Sequence, residues 1–537
     1  MKGRFTWVIV SLFVFITCGC VSNRPMGHIP QRAFANPLPI AFLHTNDTHG
    51  HAWPHKDRDG IVRGGFAAQN QVIDAVWREV DTAGGVTFVL SGGDINTGVP
   101  ESDLLDSEPD IMAMNQIGYD AMVLGNHEFD KGLEKIRKQQ VWARFPFLSA
   151  NVLTKDGNYL TRPYVIIDRG VKVGILGLTT GDLKVLVSPE YTKDLIVEDP
   201  ITAAKKHIPQ MKAEGAQVIV ALTHIGLIDN KANSLLDKFT DDRKLAESVP
   251  ELQVIIGGHT DVLLEKGLRV GTTLIAQAGA HGNHVGRVDI LFDTNSGRIV
   301  NSAASVLPVL PEKGEDRKLA RLMDEYKERG SVTLEEIVAT AANKLDGDRK
   351  NVRNGETNLG DLLTDALRET TGTDIAIYNG GGIRDSIEAG KIKVRDVYQV
   401  LPFSNTVVTA TISGKQLKEA LESGLANRHL TGSFLQVSGI SYEAVGDRVT
   451  DLQVGGKPVV PSRKYSVATN NFILAGGDHF DVLTRLSDKK DTAVPVERLF
   501  IEYLKAKKAV DPKVEKRIRL SAEKHLSGGN GRAAGNS

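Results

Sequence analysis

Five short clusters of Asp, Asn, His and Gly carry the side chains of this sequence that are best suited to chemistry. Each cluster follows an apolar run, and the clusters are Asp47-Thr48-His49, Gly92-Gly93-Asp94, Gly125-Asn126-His127-Glu128, His224 and Gly257-Gly258-His259-Thr260-Asp261. They offer imidazole nitrogens with carboxylate and amide oxygens, which suit Mn, Zn, Fe, Mg or Ca better than a soft metal. The two cysteines of the chain, Cys18 and Cys20, lie near its N-terminus, so we expect no thiolate ligand in the folded body. The clusters therefore predict a metal site of nitrogen and oxygen ligands.

The clusters contain enough ligands to bind a pair of metal ions. Two cations about 3.5–4 Å apart can clamp the attacking and leaving oxygens of a phosphoryl transfer, and they need a carboxylate that bridges them. We expect Asp94 to be that bridge. The neighbouring glycines, Gly92 and Gly93, allow the backbone to approach metals and phosphate closely at a tight turn.

The clusters can act together only if the surrounding elements bring them to one place. From Ile40 to about Asp293, β-rich runs alternate with segments of helical spacing such as 65–80 and 200–214. This alternation predicts an α/β layered domain. Ligands bind outside the carboxyl ends of strands in open α/β sheets, so the five strand ends are expected to converge in one crevice.

A second domain is predicted after a charged helical connector. The connector runs from Glu312 to Gly330, and the second domain extends from about Val332 to Leu520. It mixes helical segments with β-rich runs, which predicts an α+β domain. The full predicted organisation is a signal peptide at 1–20, a tether at 21–39, a first domain at 40–311, a helical linker at 312–331, a second domain at 332–525 and a disordered tail at 526–537.

The order of the motifs resembles a known superfamily. D-x-H, G-D, G-N-H-E, a later H and G-H-x follow one another as in the calcineurin-type metallophosphoesterases. Within that superfamily, nearly all of residues 40–520 is similar to the 5'-nucleotidase family, which includes bacterial periplasmic UDP-sugar hydrolases and animal ecto-5'-nucleotidase. The resemblance implies an N-terminal calcineurin-like layered α/β-β domain and a C-terminal α+β substrate-binding domain.

The resemblance also implies two divalent metal ions and their ligands. One ion would be held by Asp47, His49, Asp94 and Asp261, and the other by Asp94, Asn126, His224 and His259. The family more often has Asn, Gln or His at the position of Asp261, and the additional carboxylate favours a harder metal such as Mn or Mg.

A catalytic pair follows from the same resemblance. His127 would stabilise charge on the phosphoryl group, while Asp130 would orient the imidazole and keep it protonated. The nucleophile would be a water whose pKa the metals lower.

Four segments of the second domain are similar to the substrate-binding elements of the family. The resemblance implies that Phe403 and Phe472 sandwich the base and that Asp478 binds the ribose hydroxyls. It places three guanidinium groups on the phosphate or ribose side of the substrate, those of Arg349, Arg353 and Arg384. Asn379 and Asn405 would make polar contacts with the substrate. Aromatic faces stack on any base, and guanidinium forks match phosphate oxygens. Five further histidines receive no role, namely His44, His51, His55, His281 and His284.

The N-terminus has the shape of an export signal. Lys2 and Arg4 precede an apolar run of about twelve residues, too short to span a bilayer as a mature helix. The end of the segment resembles a bacterial lipobox in which Cys20 is lipidated, with Cys18 as a second candidate. Plain secretion or an uncleaved anchor are the alternatives, and each places the domains outside the cytoplasm.

The predicted function is a periplasmic or cell-surface, metal-dependent hydrolase of nucleoside 5'-phosphates, with nucleotide sugars and nucleoside di- or triphosphates as further substrates. The alternatives are a 2',3'-cyclic-nucleotide phosphodiesterase/3'-nucleotidase, a thiosulfohydrolase-like relative and a nucleotide-binding lipoprotein without catalysis. Paired Phe403 and Phe472 favour a nucleoside, and the complete ligand set favours catalysis. The charge balance, Lys+Arg 65 against Asp+Glu 66, excludes a basic field for a nucleic acid polymer. Membrane contact would be through the lipid anchor alone.

Overall fold

A computed structural model describes residues 35–57, 59–187, 189–227, 240–403 and 405–521. The predicted signal peptide with Cys20, most of the tether and the tail at 526–537 lie outside the described residues. Among the helices that the described ranges contain, none combines the length and apolar character needed to cross a bilayer.

Within its described part, the first domain contains sixteen strands and eight helices. Its strands are β1 (Leu38–Thr45), β2 (His55–Lys56), β3 (Val62–Arg63), β4 (Val86–Ser91), β5 (Ala121–Val123), β6 (Phe147–Leu148), β7 (Val152–Thr154), β8 (Tyr164–Asp168), β9 (Lys172–Thr179), β10 (Leu195–Val197), β11 (Val218–His224), β12 (Val254–Ile256), β13 (Leu268–Val270), β14 (Thr273–Ala276), β15 (His284–Asp293) and β16 (Arg298–Pro308). Its helices are α1 (Phe66–Thr82), α2 (Pro100–Asp103), α3 (Glu108–Ile117), α4 (Gly132–Trp142), α5 (Leu183–Leu186), α6 (Pro189–Thr192), α7 (Pro200–Ala213) and α8 (Asp242–Ser248).

Two six-stranded sheets form the centre of this domain. Their strand orders are β16-β15-β1-β4-β5-β6 and β13-β14-β12-β11-β9-β8. Apolar side chains from both sheets, such as Phe42, Phe88 and Val220, form one buried cluster between them. Helix α1 packs outside the first sheet and α7 outside the second. Strands buried on both faces must be continuously apolar, which explains the uninterrupted runs in the sequence.

The five clusters come from both sheets. Strands β1, β4 and β5 run parallel in the first sheet, and β11 and β12 run parallel in the second. The predicted layered α/β-β class is confirmed, and the crevice lies where the carboxyl ends of two facing sheets meet.

The second domain is built on a mixed five-stranded sheet in the order β21-β18-β25-β20-β26. The strands of the domain are β17 (Ile337–Ala341), β18 (Ile375–Asn379), β19 (Gly390–Lys393), β20 (Thr406–Ser413), β21 (Leu435–Ser438), β22 (Ile440–Val445), β23 (Arg448–Val454), β24 (Lys457–Pro458), β25 (Lys464–Asn470), β26 (Ser487–Pro495), β27 (Ala509–Val510) and β28 (Ile518–Ser521). After the connector helix α9 (Arg317–Leu334), the helices of the domain are α10 (Arg349–Val352), α11 (Asn358–Thr371), α12 (Val394–Val400), α13 (Gly414–Asn427), α14 (Asn471–Leu474), α15 (Asp481–Thr484) and α16 (Val496–Lys507).

Helix α11 illustrates how the sequence determines this domain. Thr357 caps its N-terminus by accepting a hydrogen bond from the backbone N–H of Gly360, and Gly372 ends it in the left-handed conformation. Leu359, Leu363 and other buried residues at helical spacing face the sheet. The predicted α+β class of the second domain is confirmed by this arrangement.

The connector between the domains forms helix α9 (Arg317–Leu334). Leu319, Met323 and Tyr326 of this helix are buried in the core of the first domain, and the Trp53 indole N–H donates to the Met323 carbonyl at 2.8 Å. Leu334 at its end is buried in the core of the second domain. Most of the connector is therefore packed as part of the first domain.

Candidate active site

The predicted metal ligands lie together where β1, β4, β5, β11 and β12 end. Two groups of three side chains each bring one ligand atom per residue within 4.8 Å of the others, namely Asp47, His49 and Asp261, and Asp94, His224 and His259. The side-chain oxygen of Asn126 lies 2.9 Å from Nδ1 of His259. A third such group, His49, Asp94 and His127, connects the other two. The structure thus brings all seven residues into one continuous site.

The turns that carry these ligands have an unusual backbone. Five of the seven ligand residues have positive φ angles, from 48° to 84°, and they are Asp47, His49, Asp94, His259 and Asp261. Asp and His tolerate this region better than branched residues do, but it still carries strain, and such residues concentrate at functional sites.

Backbone carbonyls orient two of the imidazoles. Nδ1 of His49 lies 3.0 Å from the Thr97 carbonyl, and Nδ1 of His224 lies 2.6 Å from the Gly92 carbonyl. A carbonyl oxygen only accepts, so each Nδ1 carries the proton, and each Nε2 has a free lone pair for a metal.

The surroundings of His224 fit a cation between the ligands. Its Nε2 is buried between two carboxylates, 2.9 Å from Oδ2 of Asp94 and 3.9 Å from Oδ1 of Asp47. Burial raises the pKa of Asp47 to about 8, against the opposing charge of His224 and with reinforcement from Asp94 and Asp261. Several buried carboxylates around an imidazole nitrogen form an environment that a divalent cation would stabilise.

His127 and Asp130 form a close pair beside the ligands. Nδ1 of His127 lies 2.6 Å from Oδ2 of Asp130, which also accepts a hydrogen bond from the Thr97 hydroxyl at 2.7 Å. Burial would lower the pKa of His127, but the charges of Asp130 and Asp94 outweigh it and raise the pKa to about 9. A proton on this imidazole would be stabilised by Asp130, and it would allow the ring to donate to an anionic oxygen.

Glu128 has a role that the sequence did not indicate. Its buried carboxylate accepts hydrogen bonds from the backbone N–H groups of Asp94, Ile95 and Gly125, at 2.9, 3.0 and 2.7 Å. It joins the turns after β4 and β5 and so holds the proposed bridging residue in place. The G-N-H-E motif contained this residue, but only the folded turn shows which donors it meets.

A cleft of about 330 Å³ opens above the ligands, between the two domains. This volume lies within the range of small-molecule sites. All eight residues predicted to bind substrate line it, and they are Arg349, Arg353, Asn379, Arg384, Phe403, Asn405, Phe472 and Asp478. His127, Asp130 and five of the predicted ligands line the same cleft, while Asp47 and His224 are buried. Asp182 and Thr260 also line the cleft and were not predicted.

The two phenylalanines are partly exposed in the cleft. The Phe403 ring stacks on the His127 ring, with centroids 5.9 Å apart, and the Arg384 guanidinium lies 5.4 Å from the Phe403 centroid. Phe472 packs closely on Gly477, where a Cβ atom would lie only 2.4 Å from the ring. The glycine therefore allows this ring to lie against the backbone of its own loop.

Asp478 is a buried residue of the cleft wall. The side-chain amide of Asn379 donates to its Oδ2 at 2.7 Å, and its backbone has a φ of 54°. Burial raises the pKa of this carboxyl group, and Asn379 and Arg353 oppose the rise. The amide of Asn379 thus orients the carboxylate that the sequence predicted for the ribose.

The three arginines differ in their surroundings. Burial lowers the pKa of Arg353 to about 9, and its Nε has no hydrogen-bond partner. Burial and the neighbouring Arg349 also lower the pKa of Arg384. Arg349 is more exposed and lies 3.8 Å from Asp261 of the first domain. Buried, incompletely paired guanidinium groups facing a cleft are suited to an anion.

The five unassigned histidines separate into three environments. His44 is buried alone in the core, where a Cβ on Gly286 would lie 2.1 Å from its Nε2. His51, His55 and His281 form a cluster of their own outside the cleft. His284 begins β15 and belongs to neither group.

The fold and this site define a class of protein. Residues 40–262 match the calcineurin-like phosphoesterase family, and residues 337–485 match the 5'-nucleotidase C-terminal domain. The chain belongs to the 5'-nucleotidase family of calcineurin-like metallophosphoesterases. It is accordingly a metal-dependent phosphomonoester hydrolase of the nucleotide phosphoesterase type.

Three relatives support this family assignment. Protein UshA of Escherichia coli (strain K12) is 37% identical over 537 residues, which cover 93% of this chain and 95% of UshA. A 5'-nucleotidase of Vibrio cholerae is 35% identical and covers 88% of this chain and 91% of its own length. The crystal structure of a 5'-nucleotidase precursor from Thermus thermophilus superimposes with a TM-score of 0.77 at 32% identity, covering 90% of this chain and 99% of that one.

Proposed function

We propose that this protein is an exported, lipid-anchored hydrolase that releases phosphate from nucleoside 5'-phosphates. The observation that carries this proposal is the shared cleft, because predicted metal ligands and predicted nucleoside contacts line it together. A nucleotide is the ligand that needs both kinds of side chain at once. The relatives named 5'-nucleotidase support the same substrate class.

The proposal assigns two divalent cations to the seven ligands, with Asp94 between them. The donor set of imidazole, carboxylate and amide suits Mn, Zn, Mg, Fe or Ca. When bound, such ions neutralise phosphate charge and lower the pKa of water near the phosphorus. Asp261 is exposed and faces Arg349, so it is the ligand most accessible from the second domain.

The chain's own residues would handle the phosphoryl charge. The protonated imidazole of His127 would donate to a phosphoryl oxygen, and Asp130 with Thr97 would keep it charged and oriented. Arg384 lines the same part of the cleft and adds a second cation. Fixed charges in a buried cleft stabilise developing negative charge more strongly than water does.

The second domain would hold the nucleoside. Phe403 and Phe472 would contact the base, and Asp478, oriented by Asn379, would accept from the ribose hydroxyls. Arg349 and Arg353 would serve substrates with more than one phosphate or with a sugar attached. The proposal therefore extends to nucleoside di- and triphosphates and nucleotide sugars.

A substrate panel tests the proposal. The purified enzyme would be stripped of metal, reconstituted separately with Mn, Zn, Mg and Ca, and given AMP, ATP, UDP-glucose, a 2',3'-cyclic nucleotide and p-nitrophenyl phosphate. We expect kcat/KM for AMP to exceed that for the aryl phosphate with at least one metal. Preference for the cyclic nucleotide would replace the proposal with the phosphodiesterase alternative, and binding of AMP without turnover under every metal would replace it with a binding protein.

A further inference from the structure

A second histidine cluster lies beside the proposed metal pair. The His51 and His281 rings are stacked with centroids 4.2 Å apart, and the His51 and His55 rings have centroids 4.4 Å apart. One nitrogen from each ring lies within 4.8 Å of the other two. All three residues are described by the structure, and none of them lines the substrate cleft. We propose that this trio, His51, His55 and His281, is a third metal site, which binds Zn²⁺ or a similar borderline cation through three imidazoles.

The hydrogen bonding of His51 favours a ligand role. Its Nδ1 lies 2.9 Å from the Thr48 carbonyl and 3.2 Å from the His49 carbonyl. Carbonyl oxygens cannot donate, so Nδ1 carries the proton and Nε2 has a free lone pair. A metal-binding histidine characteristically donates its other N–H to a carbonyl in this way.

The backbone of Trp53 offers one ring nitrogen of His55 a weak contact. Both ring nitrogens are buried, and neither makes a hydrogen bond of acceptable geometry. A buried polar nitrogen without a partner is destabilising, and a cation coordinated by that nitrogen would remove the penalty. His55 begins the short β2–β3 hairpin, so the hairpin presents this ring to the other two.

The backbone around the trio is shaped for close packing. Gly64 has a φ of 75°, and a Cβ atom there would lie 3.0 Å from Cε1 of His55 and 3.1 Å from the His281 carbonyl oxygen. A side chain at this position would push the hairpin away from the rings. The glycine thus allows the third ligand to approach the other two.

Core packing is the competing explanation for buried histidines, and His44 shows what it looks like. That residue is also without hydrogen-bond partners, but it is absent from every group of candidate metal ligands among the described residues. In the trio, three imidazoles converge from two separate segments of the chain. Imidazole suits Zn²⁺, and three protein nitrogens leave one tetrahedral position for water.

The position of the trio suggests what the ion would do. His51 is two residues from His49, and the backbone N–H of His281 donates to the carbonyl of Asp47 at 2.8 Å. A metal here would connect the loop after β1 to the loop before β15, next to two proposed ligands of the metal pair. It would therefore act on the position of those ligands and would not contact the substrate.

Metal counting tests the third site without relying on activity. Wild type, His55→Ala, His281→Ala and the control His284→Ala would be stripped, reconstituted with Zn²⁺ alone, dialysed and measured by inductively coupled plasma mass spectrometry. We expect His55→Ala and His281→Ala each to hold one zinc fewer per chain than wild type, and His284→Ala to hold the wild-type number. Equal zinc content in all four proteins would overturn the proposal.

Zinc-edge anomalous scattering from crystals of the wild-type protein provides a measurement that needs no variant to fold. We expect an anomalous peak among the three rings in addition to peaks at the proposed metal pair. Peaks confined to the catalytic ligands would contradict the third site while leaving the proposed phosphohydrolase function intact. A peak among the rings with no peak at the proposed metal pair would support the third site and contradict the proposed phosphohydrolase site. The two proposals can therefore fail separately.

Discussion

The ring of Phe403 lies on the ring of His127 with the two planes only 19° apart. The phenylalanine belongs to the second domain, and the histidine belongs to the first. Their contact means that the proposed base-binding residue and the proposed catalytic residue share one small space when the domains are arranged as they are here. A base stacked on Phe403 would therefore lie close to the proposed catalytic histidine.

Replacing His127 by Ala should lower kcat by about 10²–10⁴-fold, because the variant loses a positioned proton donor. Metal content should stay at the wild-type value, since His127 is not proposed as a ligand. Steady-state kinetics and metal analysis of the same preparation check both statements. Asp130→Asn is the companion variant and should reduce kcat less, because the imidazole remains. Loss of a metal from His127→Ala would make this residue a ligand instead.

Asp94→Asn should lose at least one metal ion and lower activity by several orders of magnitude. Two cations at close range repel each other unless a shared anion lies between them, and the amide oxygen of Asn carries no net charge. Metal analysis and phosphate release from AMP are the measurements. Two ions per chain with near-normal turnover would show that the bridge is elsewhere.

Asp110→Asn should change how stability depends on pH. Burial raises the pKa of Asp110 from 3.8 to about 7, and its carboxyl group accepts a hydrogen bond from the Ser102 hydroxyl. Between these two values the folded protein keeps a proton that the unfolded chain has lost. The free energy of unfolding therefore falls by about 1.4 kcal/mol per pH unit from this group as pH rises through the window.

The asparagine has no such proton, so the variant should gain stability relative to wild type as pH rises through the same window. Above the folded-state pKa the difference should become constant. Chemical denaturation at several pH values measures it, and Asp156→Asn, at an exposed turn, is the control that should leave the pH profile unchanged. A difference that is flat across the window would show that Asp110 is ionised in the folded protein.

Cys20→Ala should move the protein from the membrane fraction to the soluble fraction, because a lipid-modified cysteine is the only anchor proposed. Globomycin blocks cleavage of lipoprotein signal peptides, so treatment should leave a longer, uncleaved form in the membrane fraction. Cys18→Ala is the matched control and should stay with the membrane. If Cys18→Ala is soluble and Cys20→Ala stays with the membrane, Cys18 is the lipidated residue instead of Cys20. If both variants stay with the membrane, an uncleaved anchor is favoured.

The ends of the strands could be predicted from the sequence because neighbouring residues mark where each strand stops. The runs before Asp47 and Asp94 are continuously apolar, and the polar clusters that follow them mark the ends of β1 and β4. The pairing of those strands was not predictable in the same way. Strand β1 pairs with β15, a partner more than two hundred residues away, and only the packed structure determines such a neighbour.

Two residues show what could not be predicted from the sequence. Glu128 acts by accepting hydrogen bonds from backbone N–H groups as far as 34 residues away, and the residue type does not reveal the donors. Tyr326 lies in the charged stretch that is predicted as a linker between the domains. Its spacing from Leu319 and Met323, however, is the spacing of a buried helical stripe, which was the signal that α9 belongs to the core of the first domain.

The central claim is that one cleft holds phosphate on the first domain and nucleoside on the second. The double variant Phe403→Ala plus Phe472→Ala removes both aromatic faces, including the ring that stacks on His127, and keeps every proposed metal ligand. A loss caused by the missing contact with His127 would lower both efficiencies and cancel in their ratio. Stacking is worth about 1–3 kcal/mol per base, whereas p-nitrophenyl phosphate has no nucleoside to hold. The direct measurement is kcat/KM for AMP divided by kcat/KM for p-nitrophenyl phosphate, in wild type and in the double variant. We predict that this ratio falls roughly tenfold or more in the variant, and an unchanged ratio would contradict the assignment of the second domain to nucleoside binding.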